Sequence, residues 1–230
     1  MEEKMPRTVE NVKKMINSVH KNTLVGEKMD FYNKWADTYD QDVAILEFHS
    51  PIEAAKSANV HYQGDRAEAR VLDVACGTGA VAKHLRACGF ERFVGIDGST
   101  RMMEHANRSG LYQELKISIL GKEPLPLPKG LTSTDSFDLV VIAGALSVGH
   151  VPVNAIRELC RVCKPGGFVC MTSRCGEDNL EYKADLEAEI KKMKEEKLWT
   201  KVAVSQVEKW EKATTSDSYI SGTVYFYKKS

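Results

Sequence analysis

The chain has 230 residues, 43% of them apolar and 28% charged, which is enough for one α/β domain with a well-buried core and a small cap. Its 32 basic residues balance 32 acidic ones, so no global field draws it to nucleic acid or to an anionic membrane. The polar start, Met1 to Glu10, has no signal-peptide pattern and no apolar run reaches the length of a membrane span; a cytoplasmic protein is expected, with the nucleus also open.

Residues 1–65 carry helical signals and no strand signals, and are read as a helical cap or lid. Residues 66–230 are read as the core of the same structural domain. Val9, Val12, Ile16 and Val19 mark one apolar helix face. A second helix is expected from Lys28 to Tyr39 and a third from Val43 to Ala58. After Gly64 strand and helix signals alternate. An apolar strand, 71–76, runs into a glycine turn and a helix from Gly79 to Cys88, which Gly89 stops. A second strand, 93–97, precedes a helix capped by Ser99 and ending near Gly110. A short third strand is expected at 116–120, before a proline-punctuated loop from Glu123 to Lys129. A fourth strand, 138–143, leads to a helix between Pro152 and Lys164, and a fifth follows at 168–172. A charged helix from Asn179 to Leu198 buries Leu186, Ile190 and Met193. The runs 201–210 and 219–227 read as an antiparallel hairpin at one sheet edge. Alternating βα units imply a parallel sheet with right-handed crossovers.

The segment Val71 to Ala82, V-L-D-V-A-C-G-T-G-A-V-A, carries most of the chemistry. Its apolar residues suit a strand covered on both faces. Asp73, set among them, must be solvated by a ligand, a backbone amide or water; capping the following turn is its plainer role. Gly77 and Gly79 let the backbone turn sharply and come close to a bound molecule. Asp97 ends the second strand, where an α/β nucleotide site holds a ribose, although it could simply cap the next helix. A carboxylate there can accept from both the 2′- and 3′-hydroxyls. The combination points to an adenosine-containing ligand. Gly77-x-Gly79-x-x-Ala82 also satisfies the dinucleotide fingerprint, which keeps NAD as an alternative. Asp73 argues against it, because a carboxylate repels a pyrophosphate and suits a cationic amino-acid end. Cys160 and Cys163 share a helical stripe with Ile156 and Leu159, so the cysteines read as buried hydrophobes and no metal is expected.

These motifs, in this order, resemble the class I S-adenosylmethionine-dependent methyltransferases, in which D-x-x-C-G-T-G is a common first motif. The resemblance implies a Rossmann-like seven-stranded sheet, five parallel strands plus a C-terminal antiparallel hairpin, with an N-terminal helical cap. It implies S-adenosyl-L-methionine as cofactor and S-adenosyl-L-homocysteine as product. The implied cofactor contacts are Asp73, Ala75, Gly77, Gly79, Asp97, Gly98, Met102, Leu120, Gly121, Ala143 and Gly144. Within that set Asp73 would orient the glycine loop and help hold the methionine amino group, while Gly98 and Met102 would sit against the adenine. Many relatives place an acid just past the third strand for the adenine amino group. Lys122 stands there in this chain, which leaves the backbone around Leu120 and Gly121 to serve.

The stretch Phe31 to Asp40, F-Y-N-K-W-A-D-T-Y-D, resembles the W-x-x-x-Y-D lid segment of small-molecule methyltransferases and so places Trp35 and Tyr39 near the cofactor. An amphipathic helix packing Phe31, Trp35 and Tyr39 onto the core explains the same spacing. His150 aligns with the histidine of the family's S-x-x-x-L-x-H-V stretch, as a general base or as a structural residue at a helix start; no catalytic residue is assigned. Ala143 to Leu146 replaces the Asn/Asp-Pro-Pro-Tyr/Phe motif of base and glutamine methyltransferases, and the Pro-Cys motif of cytosine enzymes is absent, which disfavours nucleic acid. The expected reaction is in-line transfer to an O, N or C nucleophile of a small molecule, driven mainly by positioning. A monomer is expected, with a protein partner open. The alternatives are a silent S-adenosylmethionine-binding regulator and a protein or RNA methyltransferase.

Overall fold

Five strands, β1 (Arg70–Val74), β2 (Arg92–Asp97), β3 (Tyr112–Ile117), β4 (Phe137–Ile142) and β5 (Cys163–Arg174), run parallel in the computed structural model, which describes residues 7–17, 25–120 and 134–230. β6 (Trp199–Lys212) and β7 (Tyr219–Lys229) form an antiparallel hairpin, and β7 pairs antiparallel with β5. The order across the seven-stranded sheet is β3-β2-β1-β4-β5-β7-β6, the expected fold class. The chain reverses direction across the sheet between β1 and β4, which opens a crevice at their carboxyl ends.

Successive strand residues point to opposite faces, and both faces are covered, so the central strands are apolar throughout. Val71, Leu139, Phe168 and Cys170 pack on one face against α4 (Ser50–His61) and α5 (Ala80–Ala87). Leu72, Val140, Val169 and Met171 pack on the other against α7 (Ala155–Val162) and α8 (Leu180–Glu195). α6 (Thr100–Arg108) follows β2 and is capped by Ser99, whose Oγ accepts from Met102 N at 3.2 Å. α1 (Val9–Asn17), α2 (Val25–Trp35) and α3 (Tyr39–Ile45) precede the sheet and reach its carboxyl-end crevice.

Four elements differ from expectation. The helix expected from Lys28 to Tyr39 ends at Trp35, and Tyr39 opens α3 after a three-residue turn. The helix expected from Val43 to Ala58 is two: α3 ends at Ile45, Glu47 takes φ 54°, and α4 restarts at Ser50. Pro51 is the cause, because proline lacks the N–H for a preceding turn and starts a helix well. The third strand lies at Tyr112–Ile117 rather than 116–120; it is an edge strand with a largely polar, exposed pattern. β5 begins at Cys163, with Gly166 at φ 78° where the pairing register with β4 shifts. Val19 and the proline loop from Glu123 to Lys129 lie outside the described residues. Among the described residues no helix is long and apolar enough to cross a membrane, and no group of three His, Cys, Asp or Glu side chains converges on a metal-sized site. Cys163 and Cys170 are buried, their thiols directed at the carbonyls of Phe168 and Ala54.

Candidate functional site

A cavity of about 800 Å³, counted with its open mouth, lies over the carboxyl ends of β1, β2 and β4. Its floor is largely backbone. Ala75 takes φ 54°, a conformation that costs a non-glycine residue strain, and Gly77 follows at φ 55°. A β-carbon on Gly77 would meet nothing within 4 Å, so the space above it is a ready cradle. A β-carbon on Gly98 would come within 2.5 Å of Met29 Sδ, so glycine there lets α2 settle onto the cavity.

Asp97 enters from the end of β2. Gly77 N donates to its Oδ2 at 2.9 Å and Ser99 N to its Oδ1 at 2.8 Å. Burial pushes its carboxyl up, and those backbone donors work against the shift. Each oxygen keeps a further lone pair, so the group can still accept from a diol.

Asp73 lies behind the turn and does not line the cavity. Tyr112 Oη donates to its Oδ2 at 2.7 Å, while its buried Oδ1 has no partner. Burial, with a smaller push from Asp97, raises its carboxyl to about 7 against the pull of the Tyr112 hydrogen bond.

The roof comes from α2 and α3. Asn33 Oδ1 accepts from Ser99 Oγ at 2.8 Å and from Arg101 N at 3.1 Å, which ties α2 to the start of α6. Thr78 Oγ1 donates to Asp40 Oδ1 at 2.6 Å, which ties α3 to the glycine turn. Buried Asp42 gathers Trp35 Nε1 at 2.8 Å, Thr38 Oγ1 at 3.1 Å and Arg7 Nη1 at 3.1 Å on one oxygen. His150 faces this roof. Its Nδ1 lies 3.1 Å from Ser147 Oγ and 3.2 Å from the Val148 carbonyl. Its Nε2 lies 2.9 Å from Tyr32 Oη. Desolvation beneath the roof first, then Lys28 and Arg174, push the imidazole below its ordinary pKa.

Of the residues expected at the site, Tyr39, Ala75, Gly77, Asp97, Gly98, Met102, Leu120, Ala143 and Gly144 all line this one cavity. Trp35 lines two adjoining cavities, and Gly79 lines an outer groove beside Thr78. Gly121 lies outside the described residues. Lys28, Met29, Tyr32, Gly149 and Val151 also line the cavity and were not expected. Tyr32 carried a signal: it stands three residues before Trp35, on the same helical stripe of α2.

Residues 71–167 match the family model described as a methyltransferase domain. Human methyltransferase-like protein 27 is 46% identical over 188 residues, covering 82% of this chain and 74% of its own. The chain belongs to the S-adenosylmethionine-dependent methyltransferases. It is an enzyme of that family, and S-adenosylmethionine is its cofactor. The ubiquinone/menaquinone biosynthesis C-methyltransferase of Rickettsia massiliae (strain Mtu5) is 35% identical over 113 residues, covering 44% of this chain and 43% of that one. Two solved structures share the fold. A Thiobacillus denitrificans S-adenosylmethionine-dependent methyltransferase in complex with S-adenosylhomocysteine has a TM-score of 0.56 at 16% identity, covering 80% and 94% of the two chains. A Haloferax volcanii methyltransferase bound to the Trm112 methyltransferase activator has a TM-score of 0.60 at 18% identity, covering 84% and 96%. The residues present fit the cofactor: a pre-oriented carboxylate at Asp97 and an open backbone cradle at Gly77.

Proposed function

We propose that the cavity under α2 and α3 holds S-adenosylmethionine and that the enzyme methylates a small molecule. The observation that carries this is the roof. Side chains of α2 and α3 cover the cavity and tie down at Ser99, Arg101 and Thr78, which suits a small acceptor better than a duplex or a folded protein. Zero net charge agrees, because nucleic-acid binding rests on basic surface.

In this reading Asp97 accepts from the ribose hydroxyls, Gly98, Met102 and Leu120 border the adenine, and Ala75 and Gly77 lie along the methionine portion. Bound S-adenosylmethionine supplies a methyl group on a sulfonium, a leaving group that needs no acid to depart. Ala143 and Gly144 keep side-chain bulk away from the transfer point. Tyr39 and Tyr32 close it from above and exclude water.

Titration calorimetry with S-adenosylmethionine, S-adenosylhomocysteine and NAD tests the cavity, and micromolar binding of the first two alone is expected. Extract fractions passed through a small-pore filter should then support methyl transfer. Acceptor activity confined to the macromolecular fraction would sink the small-molecule reading.

A further inference from the structure

A second cavity, also about 800 Å³ with its mouth, shares Tyr32, Tyr39, Gly144 and His150 with the first and extends to the β6–β7 hairpin. Glu211 lines it. Among the described residues this carboxyl has neither a hydrogen bond nor an ion pair, though it is only half-exposed and the surface it keeps faces the cavity. The neighbouring residues show how it is placed there. Val207 pairs with Gly222 and Glu211 with Ile220, so β6 spends two extra residues between those rungs. The bulge lays Trp210 on Gly222, where a β-carbon would meet the indole at 2.1 Å. His49 N donates to the Trp210 carbonyl at 2.9 Å, and Lys212 N donates to the Leu46 carbonyl at 2.8 Å. Both flanks of Glu211 are pinned to the α3–α4 connection, and Glu211 itself holds nothing. A bulge beside a cavity commonly serves to aim one side chain.

The charges around Glu211 define what it can receive. Burial pushes its carboxyl up to about 7; Arg174 on β5 lowers it and Asp178 raises it. Arg174 is already engaged, its Nη2 2.5 Å from Asp178 Oδ2. Tyr39 on α3 also feels Glu211, its phenol held above the ordinary range in part by that charge. His150, on the shared wall, has its pKa pushed down by desolvation and by Lys28 and Arg174. Arg174 is drawn to Asp178, which lies outside this cavity, so Glu211 is the one carboxylate among the cavity's lining residues and has no cation bonded to it. Its other walls include the rings of Tyr32, Trp35 and Tyr39, whose faces attract cations. An acidic acceptor would meet like charge, and a neutral alcohol would leave the carboxylate uncompensated. An ammonium completes it.

We propose that the second cavity is the acceptor site, that it takes a small amine on an aromatic or apolar body, and that Glu211 holds the amine and removes its proton. This rests on the methyltransferase reading of the first cavity. The ammonium N–H proton passes to the Glu211 carboxylate, and the freed nitrogen lone pair forms the N–CH₃ bond. The electron pair of the breaking S–CH₃ bond stays on sulfur as a thioether, and the product leaves as a methylated ammonium.

Tryptamine and phenethylamine, with their alcohol and carboxylic acid counterparts, are the probes, titrated against protein saturated with S-adenosylhomocysteine. The amines should bind at least tenfold tighter than the matching alcohols and acids. Glu211→Gln, checked for an unchanged melting temperature and unchanged S-adenosylhomocysteine affinity, should lose that advantage. With S-adenosylmethionine it should transfer methyl to tryptamine about a hundredfold more slowly, the usual size of a lost general base. Amines binding no better than alcohols, or a Glu211→Gln protein that binds and methylates them like the wild type, overturns the proposal while leaving the cofactor site intact. Failure of the wild type to bind S-adenosylhomocysteine overturns both.

Discussion

The cavity at the ends of β1, β2 and β4 has a floor of backbone and small residues: Ala75, Gly77, Gly98, Ala143 and Gly144. The cavity beside it is walled by large side chains brought from α2, α3, β5 and the hairpin. The first demands residue types that only certain backbone shapes require, so its chemistry is tied to the fold. The second can change its chemistry by exchanging one side chain, since nothing in the sheet depends on Glu211 being acidic. Relatives that share the first cavity are therefore free to differ in the second.

The largest test of this division is Asp97→Ala. Removing a charged acceptor of two hydroxyls should weaken S-adenosylmethionine about a hundredfold, worth about 3 kcal/mol, with circular dichroism unchanged. Retained affinity would remove Asp97 from the site. Gly222→Ala strikes the other side, because its β-carbon has no room beside Trp210. It should cost about 2 kcal/mol of stability in denaturant titration and loosen amine binding, while S-adenosylhomocysteine affinity stays within about twofold. An equal loss at both sites would show that the two cavities are not separable.

A pH series probes the buried floor. The folded-state pKa of Asp73, about 7, lies above the unfolded value, so its protonated form favours folding. That contribution is complete below the unfolded pKa and falls away as pH rises through about 7. Against Asp73→Asn, the ligand-free wild type should lose a few degrees of melting temperature, about 1 kcal/mol or more, between pH 4.5 and 8. A parallel pair of curves would mean that Asp73 is ionised throughout. The smallest effect is expected from Tyr32→Phe, which removes the hydroxyl bonded to His150 but keeps the ring. Both cofactor and acceptor affinities should fall about threefold, roughly 0.7 kcal/mol each; a change in only one would assign Tyr32 to that cavity alone.

The same division governs what could be read from the sequence. Gly77, Asp97, Gly98 and Gly144 were legible because turns and strand ends select residue types locally. The pairing of Tyr32 with His150 joins positions 118 residues apart, and no local pattern encodes it. Glu211 was invisible for a related reason: a strand reading of 201–210 stops one residue short of it and contains no sign of the bulge. The break between α3 and α4 was legible at Pro51, but apolar spacing from Val43 to Ala58 hid it. The third strand was misplaced because Gln113, Glu114 and Lys116 on an exposed edge carry little of the apolar signal that marks a buried strand.

Tyr32 and Tyr39 belong to both cavities. Any displacement of that segment alters two binding equilibria at once, and thermodynamic linkage makes the effect mutual. A donor that settles the two tyrosines raises acceptor affinity by some factor, and the acceptor must raise donor affinity by the same factor. Product inhibition would inherit this coupling: an S-adenosylhomocysteine that kept the tyrosines settled would strengthen binding of the methylated product by the same factor as the product strengthens its own.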